Sequence, residues 1–76
     1  MDDQKTTYGQ RAVGATFNPS GDPKVQQVKE LYAQIIDILH DDGTPTGNAM
    51  GEKLRDMAEH QAILAQMAAV KYVTWK

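Results

Sequence analysis

Two long stretches of the chain repeat their apolar residues at helical spacing, and a polar, glycine-spotted segment precedes them. Val25, Val28, Tyr32, Ile35 and Leu39 alternate spacings of three and four, a heptad seam that predicts a helix from about residue 23 to 41. Leu31, Ile36 and Ile38 add a second apolar edge, so this helix is expected to bury more than one narrow stripe. Asp41 to Gly47 then supplies turn chemistry, with Gly43 as a helix stop and Pro45 against continuation. A second helix is expected from about residue 48 to 74, capped by Asn48. Its seam runs through Met50, Leu54, Met57, Gln61, Leu64, Ala68, Lys71 and Trp75. Ile63, Met67, Val70 and Val73 make it apolar on another side, and Ala62, Ala65, Ala68 and Ala69 allow close approach of a neighbouring helix. Residues 1–21 are expected to form a short extended arm, flexible over the first six residues, with extended pieces at 11–13 and 15–17.

The segment from Phe17 to Lys29 joins arm to helix. Asn18-Pro19 and Ser20-Gly21 are turn dipeptides, because Pro fixes φ and Gly reaches conformations that other residues avoid. Asp22 stands where a helix N-cap belongs, and Pro23 fits the first helical position, where its missing N–H does no harm. A helix start also offers free N–H groups and the positive end of a dipole, so this corner is a candidate seat for a small anion.

A chain of 76 residues is one domain, 1–76, with too little interior to make a self-sufficient core certain. It has no cysteine, so neither disulfides nor thiolate metal sites support it. The predicted fold is therefore all-α: a two-helix antiparallel hairpin with a short extended arm, assembled into a homo-oligomeric helical bundle. No apolar run is long enough for a membrane, and no signal-peptide pattern precedes the first polar residues, which predicts a cytoplasmic protein. The net charge of −2 argues against long nucleic acid, which needs many simultaneous phosphate contacts. A small anion needs only one or two cations.

No catalytic constellation is evident. Ser20 is the lone serine, and no Ser/His/Asp arrangement follows from spacing. His40 beside Asp41 and Asp42 fits the favourable C-terminal end of a helix dipole better than a metal site. His60 with Asp56 and Glu59 fits a solvated helix face, and neither an enzyme nor a cofactor is expected. Ligand-holding residues remain. Phe17 and Tyr8 can stack on a base or close the apolar end of the hairpin. Arg11, in an uncharged stretch, can hold phosphate bidentately. Lys24 and Lys29 lie on the first turns of the first helix, with Asn18 in the corner beside them. Arg55 and Lys71 can bring charge from a second protomer. Each of these cations is also an ordinary helix-surface residue.

Gly9-Gln10-Arg11, Phe17-Asn18-Pro19-Ser20-Gly21-Asp22, and then Val25, Val28-Lys29, Ala33 and Ile36-Asp37 make a pattern. It resembles the helical-hairpin domain of phage anti-CBASS and anti-Thoeris sponge proteins. Ala65 to Lys71 followed by Thr74-Trp75 is similar to the second-helix signature of that family, with Ala68 and Ile63 where relatives tend to carry Trp and Glu. The resemblance spans about residues 9 to 75. It implies a non-enzymatic protein of the host cytoplasm that sequesters cyclic oligonucleotides or cyclic ADP-ribose isomers, messengers of bacterial immunity. It also implies an oligomer, often a hexamer, with pockets between protomers. Lys29 falls on a lysine position tied to ligand contact, and Arg11 and Phe17 fall in the pocket-lining segment. Gln10 stands where some relatives stack an aromatic, a role that would be lost or pass to Tyr8 or Phe17. A structural or adaptor hairpin without a ligand is the alternative, and a small transcriptional regulator is disfavoured by the acidic balance.

Overall fold

The computed structural model describes residues 6–40 and 49–75. The expected turn at 41–47, the cap at Asn48 and residues 1–5 of the expected arm lie outside these residues. The regular structure among the described residues is all helix, with no strand: α1 Tyr8–Val13, α2 Pro23–His40 and α3 Ala49–Val73. Both long helices begin and end within a residue or two of their expected bounds.

The arm is the first correction. Residues 8–13 are a helix, not an extended piece. Thr7 caps it, its hydroxyl accepting the Gln10 N–H while the Gln10 side chain accepts the Thr7 N–H, so two end donors are satisfied reciprocally. Gly14 then ends the helix in the left-handed conformation at φ 65°, and its N–H and that of Ala15 return to the carbonyls of Arg11 and Gln10. The glycines at 9 and 14 suggest broken periodicity, but Gly14 is a stop and Gly9 is a contact. A Cβ at Gly9 would lie 2.1 Å from the Ala33 carbonyl oxygen, so only glycine lets α1 lie this close to α2. The Gly9 N–H donates to the Asp37 carboxylate at 2.6 Å, which fixes the approach.

The second correction concerns the seams. On α2 the buried stripe is Val25, Lys29, Ala33 and Ile36, while Ile35 is exposed. The face rotates because α1 and the segment behind it cover one flank of α2 while α3 covers another. Val13, Ala15, Ala33 and Ile36 form the core, with Ala12, Tyr32, Ala62 and Ile63 packed against it. On α3 the whole expected seam is exposed, from Met50 to Trp75. The buried or half-buried positions of α3 are Gly51, Arg55, Glu59, Ala62, Ile63, Gln66, Ala69, Val70 and Val73. The start of α2 shares a cleft with Val70 and Thr74, and His40 at its end meets Glu59.

Candidate ligand cleft

Asp22 and Pro23 begin α2 as expected. The Lys24 N–H donates to the Asp22 carboxylate at 2.8 Å, and the Asp22 carbonyl accepts the Gln26 N–H. The corner before them is closed by its own side chains. Ser20 Oγ donates to Asn18 Oδ1 at 2.7 Å and accepts the Asp22 N–H, while Asn18 Nδ2 donates to the Asp22 carbonyl. The helix start is therefore a poor anion seat. Pro23 has no N–H to offer, Lys24 gives its own to Asp22, and the Asp22 carboxylate already meets the positive dipole end. Any anion held here answers to side-chain cations.

Lys29 is the most unusual of these. It is only 7% exposed, and its ammonium donates to the carbonyls of Gly14 and Phe17, with the Phe17 ring 5.7 Å away. A lysine ammonium has three N–H donors, and these carbonyls use two of them. No carboxylate pairs with Lys29 among the described residues. Buried charges are ordinarily neutralised by an opposite charge, so this cation sits in an environment that favours one.

Two open clefts meet at Lys29 and Phe17. One, of about 350 Å³, is lined by residues 17–20 together with Val25, Val70 and Thr74. The other, of about 560 Å³, runs past Arg11, Gly14, Ile63, Gln66 and Met67. Both volumes are in the range of small-molecule sites, roughly 300–1,000 Å³. Gln66, only 4% exposed, is a buried amide residue that lines the second cleft. Sequence reasoning passed over Gln66. The available signal was its spacing from Glu59, Ile63 and Val70, which marks the inward line of α3.

The other candidates separate. Arg11, Phe17 and Lys29 share the larger cleft, and Asn18 lines the smaller one with Phe17 and Lys29. The Arg11 guanidinium donates to the Thr6 carbonyl and hydroxyl and is otherwise exposed. Phe17 is 69% exposed, so it closes no apolar end. Tyr8 lies elsewhere, stacked on His40 with ring centroids 3.7 Å apart, in a third cleft with Thr7 and Asp37. Gln10 donates to Glu30, which also accepts from Gln26, so its side chain serves the α1–α2 contact. Lys24 is exposed and Arg55 half-buried, and neither lines these three clefts. The Lys71 ammonium lies over the ring of its own Trp75. His40 Nδ1 lies 3.7 Å from the Glu59 carboxylate, while Asp41 and Asp42 lie outside the described residues, among which no group of three or more potential metal ligands exists.

Compared with family models, curated proteins and solved structures, the chain matches none. No helix among the described residues is long and apolar enough to cross a membrane.

Proposed function

We propose that this protein is an oligomeric helical-hairpin sponge that sequesters cyclic nucleotide messengers, cyclic oligonucleotides or cyclic ADP-ribose isomers, without turning them over. In that role it would blunt CBASS- or Thoeris-type signalling in the host cytoplasm. The reading rests on the sequence resemblance, and one observation supports it: a buried ammonium with no carboxylate partner among the described residues, shared by two clefts and flanked by an aromatic ring. Phosphate suits Lys29 and Arg11, a base suits the exposed face of Phe17, and the Gln66 amide can hydrogen-bond a base edge. Both clefts are open on one side, so a second protomer is needed to enclose a ligand of this size.

Calorimetric titration with cyclic di- and trinucleotides and cyclic ADP-ribose isomers tests the proposal. Heat is expected with at least one member, and the ligand should be recovered intact after denaturation. Silence across the panel overturns the reading, and recovery of a cleaved product overturns the sponge mechanism. Arg11→Ala is the informative variant, because the Arg11 side chain is exposed and its hydrogen bonds among the described residues go to Thr6, so its loss spares the core. It is expected to weaken binding about tenfold or more, as loss of a charge-assisted contact does.

A structural or adaptor hairpin is the second reading. It is favoured by the two carbonyl bonds of Lys29, which by themselves give that residue a purpose in tying the chain at 14–17 to α2. It predicts that Arg11→Ala leaves every binding partner unaffected.

A further inference from the structure

The outer face of α3 repeats at three and four residues over the length of the helix, and no element among the described residues covers it. Met50, Leu54, Met57 and Leu64 on this face are 47–62% exposed. Ala58, Gln61, Ala65 and Ala68 continue the same face and are also exposed. From Leu54 to Ala68 this stripe contains no charge. An alternation of three and four is the seam of a helix that packs along another helix over its full length. α3 has 25 residues against 18 in α2, about 37 Å against about 27 Å, so within this chain only a second α3 matches its length.

We infer that α3 pairs antiparallel with α3 of a second copy, about a two-fold axis at Gln61. Position then maps to position with a constant sum. Leu54 comes level with Ala68 of the other copy, Met57 with Ala65 and Leu64 with Ala58, so these three large side chains each face a small one, while Met50 comes level with the exposed Tyr72. Gln61 meets its own equivalent, and an amide carries both a donor and an acceptor, so two copies can satisfy each other. Antiparallel helices also set opposite dipole ends together.

The area is adequate. The four large side chains offer on the order of 100 Å² each, and the alanines and Gln61 bring the face towards the ~800 Å² per partner of a standard stable interface. The inference extends the self-association in the proposal above, but it needs no ligand and is tested without one.

The full chain has no cysteine, so single cysteines report cleanly. Leu54→Cys chains mixed with Ala68→Cys chains should give the mixed disulfide on oxidation, while Leu54→Cys alone should give little dimer. Efficient Leu54→Cys self-crosslinking would mean parallel pairing and overturns the inference. Light scattering gives the second measurement, with Leu64→Glu expected to shift the mass towards the 8.4 kDa monomer while helicity is kept. A wild-type monomer at tens of micromolar overturns the inference, as does an oligomer whose mass Leu64→Glu leaves unchanged. Failure of the nucleotide titration touches neither measurement.

Discussion

Between Thr7 and Ile36 the fold is held by contacts that only particular residues can make, whereas α3 is held by the apolar character of one face. α1 needs glycine at 9 to reach the Ala33 carbonyl, Asp37 to receive the Gly9 N–H and a Thr7–Gln10 pair to begin. Lys29 then ties the chain beyond α1 to α2 through two carbonyls. α3 makes no comparable demand. Its single fully buried residue is Gln66, and its apolar residues stand largely outside. The first region specifies a shape, and the second supplies length and surface. Truncating side chains should therefore have opposite consequences in the two regions.

Ile36 and Leu64 make the sharpest test. Ile36 is fully buried in the core, and Leu64 is half exposed. Ile36→Ala is expected to cost about 3 kcal/mol of unfolding free energy, from lost burial and the cavity left behind. In dilute protein, Leu64→Ala should cost less than about 0.5 kcal/mol, as an exposed substitution does. If α3 pairs with a second copy, the Leu64→Ala cost should grow with protein concentration while the Ile36→Ala cost stays large throughout. Urea denaturation at two concentrations reads both. Equal costs for the two variants in dilute protein would erase the contrast.

The two long helices were legible because each repeats its apolar residues at spacings of three and four over many turns. Which face of each turns inward was not. Val28, Tyr32 and Ile35 match the inward line of α2 as well as Val25, Lys29, Ala33 and Ile36 do, until α1 occupies one flank. A buried lysine defeats hydropathy outright, since its burial depends on carbonyls of residues 14 and 17 that the pattern does not place. α1 was missed for a related reason: six residues ending in glycine have no period to detect, and their stability comes from caps and from α2. Of the candidate site, Arg11, Phe17 and Lys29 do converge on one cleft, whereas Tyr8, Lys24 and Arg55 lie away from it. Convergence of residues 11, 17 and 29 follows from the turn at Gly14 and the corner after it, which are local features. Placement relative to α3 depends on tertiary packing and is not.

Lys29 gives a smaller effect than Ile36 and separates specific from general contacts in the first region. Lys29→Met keeps the apolar stem but strands the carbonyls of Gly14 and Phe17, which should cost about 2 kcal/mol. Lys24→Met, on an exposed side chain of the same helix, should change the urea midpoint little. Similar midpoints for the two variants would mean that the Lys29 bonds are exchanged for water at no loss.

The smallest effect is at the cap of α2, and it tests whether the corner is a closed structural unit. The Asp22 carboxylate accepts one N–H of the first turn, and its own N–H and carbonyl are held by Ser20 and Asn18. Asp22→Ala removes the cap acceptor and should cost about 1 kcal/mol. Asp22→Asn keeps an acceptor at the same place and loses only the charge beside the dipole, so it should recover most of that stability and differ from wild type by about 0.3–1 kcal/mol. The same pair bears on ligand binding in the opposite direction. Removing a carboxylate from the helix start lessens repulsion of an incoming anion, so Asp22→Asn should bind a cyclic nucleotide at least as tightly as wild type. Weaker binding by Asp22→Asn at unchanged stability would place the Asp22 charge in contact with the ligand, and the corner would then belong to the site and not only to the fold.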